Sequence, residues 1–150
     1  MKSHEGLPML SESSVKSQIL SLISHLPHIN IDILYLYVPE FKILHQFLED
    51  TEVIQGYTIS ILETKQKKYS GGNWLLVLTN KKFHLFRNPP FTDATHIPIE
   101  FDSIVTCTTK KGWFFGKIYI ETNTESFGLI QVGKKDYSFF LPALTPHLKS

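Results

Sequence analysis

The sequence predicts an α+β, mainly β fold: a seven-stranded antiparallel barrel or sandwich, with helices packed outside it at the N-terminus and one helix after it. Three observations carry that expectation. Residues 73–87 read NWLLVLTNKKFHLFR, two hydrophobic runs around the polar turn Thr79-Asn80-Lys81-Lys82, which is a β-hairpin signature. Residues 104–122 repeat the pattern, with Lys110-Lys111-Gly112 between two β-rich runs. On either side of this β-rich stretch, apolar residues recur at helical spacing instead.

Each element has a local reason. Ser11, Ser13 and Ser14 offer hydroxyls to the unpaired amides of a helix start. Val15, Ile19, Leu22, Ile23 and Leu26 then share one face, and Pro27 ends the helix. Residues 29–38 fit either a short strand or a helix. Pro39 suits the first turn of a further helix, with Phe41, Leu44, Phe47 and Leu48 as its apolar face and an end near Asp50. From Glu52 the period becomes two, and Tyr57, Ile59 and Ile61 alternate with polar neighbours as in a half-buried strand. A polar, glycine-ended loop spans residues 65–72.

Further strands are expected at residues 74–79, 83–87, 95–101, 104–109, 115–122 and 127–132. Asn88-Pro89-Pro90 separates the first hairpin from the rest, because proline cannot donate to a ladder. Trp74, Leu76 and Leu78 face one way and Leu75 and Val77 the other, so this strand should be covered on both sides, with the N-terminal helices as its outer cover. Asn80 suits its turn by tolerating left-handed backbone angles. Gly112 and Gly116 bracket an aromatic turn where positive φ or close approach would exclude a side chain. Asp136 is a candidate cap for the final helix, which Pro142 should shorten or kink. The expected division is residues 1–50 as a helical extension and residues 51–150 as the barrel with its helix, in one folding unit.

Composition excludes several classes. The 150 residues are 42% hydrophobic and 13% aromatic, which suits a packed core and not a disordered chain. A formal charge of +1 lacks the strong basic bias of a dedicated nucleic-acid binder. Cys107 is the single cysteine, so no intramolecular disulfide forms, and a lone thiol fits a reducing compartment. No apolar run approaches the ~20 residues of a membrane-spanning helix, and the N-terminus lacks a signal-peptide core. A cytoplasmic location, with no transmembrane segment, is the resulting expectation.

Catalytic and cofactor signatures are imperfect. Residues 128–135, GLIQVGKK, imitate a phosphate loop, but Lys135 stands where the magnesium-holding Ser or Thr belongs. His25 and His28 lack further ligands at metal-binding spacing. His84 reads as an exposed or packed strand residue, Cys107 as a small buried hydrophobe, and Glu49, Asp50 and Glu52 as a solvated helix terminus. No catalytic residue, metal ligand or cofactor site is assigned, and the expectation is a protein that is not an enzyme.

Four motifs, in order, resemble the bacterial pleckstrin-homology-like (PH-like) family. Residues 72–82, GNWLLVLTNKK, match its Gly-x-Leu-Leu-Val-Leu-Thr-Asp/Asn-Lys/Arg-Arg hairpin. Phe101-Asp102-Ser103-Ile104 matches a hydrophobic-Asp-x-Ile segment. Residues 112–118, GWFFGKI, match a Gly-x-x-Phe-Gly-x-Ile turn and strand. Glu49-Asp50-Thr51-Glu52-Val53-Ile54 matches an acidic element that ends a helical lead-in. Glu100, where a proline is usual, and residues 88–94, in place of a glycine-rich connection, depart from the pattern. The resemblance implies seven strands and a C-terminal helix, a tendency to self-associate, and no catalysis.

Two surfaces are candidates for binding. Lys65, Lys67 and Lys68 concentrate charge in the loop after the first strand, whose counterpart in eukaryotic PH domains often contacts phosphoinositide headgroups. A solvated loop is the default for them, and an anionic lipid the alternative ligand. Lys111, Trp113 and Phe114 form a possible partner interface if the turn projects; the default for the aromatics is to plug the barrel. The leading functional reading is a protein-interaction or self-assembly module using the sheet edges and this turn. The alternative is a peripheral binder of anionic membranes through the lysine loop, with Trp113 as a wedge.

Overall fold

The structure, a computed structural model, describes residues 7–24, 30–65 and 72–149. Helix α1 (Glu12–Ile23) starts where the Ser11 hydroxyl accepts a hydrogen bond from the Ser14 amide, and it buries Val15, Ile19 and Ile23. Helix α2 (Ile31–Tyr37) settles the ambiguous segment: Asn30 caps it by accepting from the amides of Asp32 and Ile33. Pro39 opens a 3₁₀ segment, Pro39–Gln46, instead of an α-helix. Phe41, Leu44 and Phe47 recur at every third residue, and three residues per turn align them along one edge. His25, Leu26, Pro27 and His28 lie outside the described residues.

Seven antiparallel strands follow, as expected: β1 (Ile54–Thr64), β2 (Asn73–Thr79), β3 (Lys82–Arg87), β4 (Thr95–Glu100), β5 (Ile104–Lys111), β6 (Phe115–Thr122) and β7 (Ser126–Gly133). They form one sheet in the order β4-β3-β2-β1-β7-β6-β5. Its two edge strands, β4 and β5, are consecutive in sequence and joined only by a 3₁₀ turn, Phe101–Ser103. The step from Glu100 to Ile104 spans at most about 14 Å of chain, so the sheet must curl until its edges approach. Helix α3 (Lys134–Leu144) packs back on β1, β6 and β7. It starts at Gly133 with no side-chain cap, so Asp136 is not the cap expected of it. It also runs through Pro142; the bond lost at the Ser138 carbonyl falls on an exposed part of the helix.

The sheet has apolar residues on both faces of β2. Trp74, Leu76 and Leu78 join Leu62, Phe83, Leu85, Ile118, Leu129 and Phe140 inside the curl. Leu75 and Val77 join Val15, Ile19, Phe41, Leu44 and Leu48 beneath the N-terminal helices. Asn80 does not use the left-handed region, and its side chain works instead: Oδ1 accepts from the Val53 amide and Nδ2 donates to the Thr51 carbonyl. Gly116 carries a steric requirement, because any Cβ there would overlap the buried Tyr137 ring. Gly112 similarly faces the Phe115 carbonyl oxygen, 2.7 Å from where a Cβ would stand.

Candidate functional site

The sheet positions two unusual groups of side chains. The first is buried. Glu52, in the acidic element before β1, is 1% exposed, which overturns its reading as part of a solvated terminus. His84 on β3, also 1% exposed, places Nε2 2.7 Å from Glu52 Oε1 and Nδ1 2.8 Å from His96 Nε2 on β4. The Thr79 hydroxyl donates to the same Glu52 oxygen at 2.7 Å, and the Glu49 amide donates to Oε2 at 2.8 Å. Burial alone would raise the Glu52 pKa. The hydrogen bonds from His84, Thr79 and the Glu49 amide, with the His84 charge, outweigh it and hold the carboxyl near 2.

An ionised carboxylate only accepts, so His84 Nε2 carries a proton, and one proton is shared between His84 Nδ1 and His96 Nε2. The chain Glu52–His84–His96 has the outline of a catalytic triad. A second imidazole stands where a nucleophile would be, and the His84–Glu52 pair is closed to solvent. Phe47 packs at a tilt against His96 with ring centroids 4.6 Å apart, and Phe86 stacks on both histidines. The arrangement fastens the entry of β1 to β2, β3 and β4. Each of these residues was visible in the sequence; their convergence was not, because Glu52, Thr79, His84 and His96 meet only through the sheet register that sets His84 opposite Val77.

The second group is exposed. Trp113 is 91% exposed, Phe114 78% and Phe115 51%, so the aromatic turn does not plug the barrel as expected of it. The inward positions of β6 are Gly116, Ile118 and Ile120; the two isoleucines and the Tyr137 ring over Gly116 fill the space. At the base of the turn Lys110 and Lys117 are registered directly opposite each other, and Lys111 lies opposite Gly116. Phe115 is registered opposite Gly133, which brings the start of α3, and Lys135, to the same end of the sheet. Among the described residues, none of Lys110, Lys111, Lys117 and Lys135 forms an ion pair.

Of the lysines in the first loop, Lys65 is exposed, while Lys67 and Lys68 lie outside the described residues. Lys65 lines an open groove of about 410 Å³ with Glu63, Tyr119, Glu121 and Ser126. That groove sits at the far end of β6, about 20 Å of strand from Phe115. The register therefore brings Lys111, Trp113 and Phe114 together and sets Lys65 apart from them. Local sequence already marks the lysine-flanked turn; Lys135 needed the pairing of β6 with β7.

The remaining sequence candidates have plain structural places. Residues 128–133 of the phosphate-loop lookalike belong to β7. Cys107 is buried in the core, and burial pushes its thiol up to about 11. No helix among the described residues is long and apolar enough to cross a membrane.

Residues 48–144, well over half of the chain, match the family described as bacterial PH domain. No curated protein matches the chain.

Proposed function

The chain belongs to the bacterial PH-domain family, and from that premise we propose that it is a non-catalytic docking module whose contact end is the β5–β6 turn. One observation carries the reading: Trp113 and Phe114 stand almost wholly in water on a hairpin whose own core is already filled. Burying such rings against a partner gains apolar contact that the free protein forgoes. The partner class expected from the sequence was another protein or a second copy of the chain, in the cytoplasm.

The sheet edges are weaker candidates for that contact. Pro98 interrupts the donor row of edge strand β4, and the tail residue Lys149 pairs with Cys107 on edge strand β5. Membrane binding through Lys65, Lys67 and Lys68 with Trp113 as wedge asks one flat surface to touch both Lys65 and the turn, which stand at opposite ends of β6. The separation of Lys65 from the turn speaks against that version. The Glu52–His84–His96 chain offers no competing enzymatic reading, since catalysis requires substrate contact and its carboxylate has none to offer.

Tryptophan fluorescence tests the proposal. The chain has two tryptophans, Trp74 at 1% exposure and Trp113 at 91%, so acrylamide quenching reports on Trp113 almost alone. Docking should protect Trp113, either as protein concentration rises or on adding phospholipid vesicles. A Trp113 that stays fully quenchable under both conditions would remove the turn as a contact site.

A further inference from the structure

We propose that the β5–β6 turn docks the protein on an anionic lipid bilayer, with Trp113 and Phe114 entering below the headgroups and Lys110, Lys111, Lys117 and Lys135 lying among them. The inference rests on the docking-module reading above and names its partner. Its basis is a combination of charge, shape and depth found nowhere else among the described residues.

Charge comes first. A protein of net charge +1 holds exposed Lys110, Lys111, Lys117 and Lys135 at one end of its sheet, while Glu63, Glu121 and Glu125 line the grooves at the other together with Lys65. Lys110 and Lys117 face each other across the strand pair, an arrangement that costs stability in isolation. Lipid phosphates placed around them would remove that repulsion. Asp136, in the first turn of α3, is the acidic neighbour that opposes this field; it is partly buried, and burial raises its pKa.

Shape and depth select a bilayer over an acidic protein. Trp113 and Phe114 stand side by side at the tip of the β5–β6 turn, which would need a deep, tailored pocket in a folded partner; a fluid interface adapts to it. The tip lies about three residues per arm, or ~10 Å, from the Lys110–Lys117 pair, and its last residues, Trp113 and Phe114, lie past the Phe115–Gly133 pair that ends β7. Lysines at headgroup level would thus leave the rings at the acyl boundary, matching the ~5–10 Å insertion of interfacial segments. Tryptophan is enriched at that depth, having an apolar body and a polar N–H.

Flotation of the full chain tests this, using vesicles of phosphatidylcholine alone or mixed with phosphatidylglycerol. The expected result is flotation with the mixed vesicles only, reduced by salt and accompanied by a blue shift of Trp113 emission. The double variant Trp113→Ala/Phe114→Ala should bind at least about tenfold more weakly. Each lysine among Lys110, Lys111 and Lys117 changed to Gln should cost about fivefold. Lys65→Glu, at the far end of β6, should bind like the wild type. A wild type that fails to float with mixed vesicles at low salt overturns the lipid inference, and so does loss of binding in Lys65→Glu alone. The two levels fail separately: without flotation, concentration-dependent protection of Trp113 keeps the docking module and replaces the bilayer by a protein. Absence of both removes the module as well.

Discussion

Around Glu52 a carboxylate is enclosed beneath rings and strands, whereas at the β5–β6 turn rings stand in water beside exposed lysines. Both regions reverse the usual distribution of polar and apolar groups, and they differ in whether the molecule itself supplies the compensation. Both oxygens of Glu52 accept hydrogen bonds from within the chain. Its burial is thus explained by the fold, and nothing further need bind there. Among the described residues none covers Trp113, which is 91% exposed, and the docking proposed above would supply that cover. A site is better recognised by unmet physical demand than by the presence of chemically versatile residues.

The largest test of that contrast is to delete the internal compensation. Glu52→Ala should lower the unfolding free energy by about 3–5 kcal/mol, read from urea denaturation, because it leaves His84 Nε2 without its carboxylate in a closed environment and removes the bonds from Thr79 and the Glu49 amide. The same carboxyl links stability to pH. Its folded value near 2 lies below the ordinary 4.5, so its contribution is complete above pH 4.5 and is lost as pH falls toward 2. The wild-type urea midpoint should drop through that window more steeply than that of Glu52→Gln. Equal pH dependence in the two proteins would mean that the carboxylate is not held as described.

Next in size are the two faces of β2. Leu75 serves the core beneath the N-terminal helices and Leu76 the core inside the curl, and both are fully buried. Because one strand belongs to both cores, we propose that residues 1–50 and 51–150 unfold together. Leu75→Ala and Leu76→Ala should each cost about 2–5 kcal/mol, with helical and near-ultraviolet signals lost in a single transition. Two separated transitions in Leu75→Ala would instead make the helices an independent layer.

Much of this was readable in advance, for identifiable reasons. Alternation of apolar residues and turn chemistry place all seven strands, and a strand apolar on both faces announces the helical cover. The turn at Asn80 shows where local reasoning stops: a residue suited to left-handed angles uses side-chain hydrogen bonds to Thr51 and Val53 instead. Those partners are distant in sequence, as are the partners of Glu52. Trp113 and Phe114 failed in the opposite direction. Hydrophobicity favours burial, and only the filled inward row of β6 reveals that no room remains for them.

Gly116 joins the exposed turn to the core and should show an intermediate effect. A Cβ there meets the Tyr137 ring, which is buried against the sheet. Gly116→Ala should cost about 1–3 kcal/mol, and trimming the ring in Gly116→Ala/Tyr137→Ala should give less than the sum of the single losses. Additive losses would show that the two positions do not share a contact.

The smallest effect should come from the turn itself. Trp113→Ala and Phe114→Ala remove large side chains, yet those side chains have left almost no water on folding, so little stabilisation is there to lose. Each variant should unfold within about 0.5 kcal/mol of the wild type in urea. The comparison with Glu52→Ala then becomes quantitative: a small carboxylate outweighs an indole because stability follows the contacts made inside the chain. If either aromatic substitution cost as much as a core truncation, the turn would be packed in solution, and its exposure could no longer argue for an external partner. An unchanged stability combined with protection of Trp113 on docking would separate the two roles, leaving the turn dispensable for folding and required for contact.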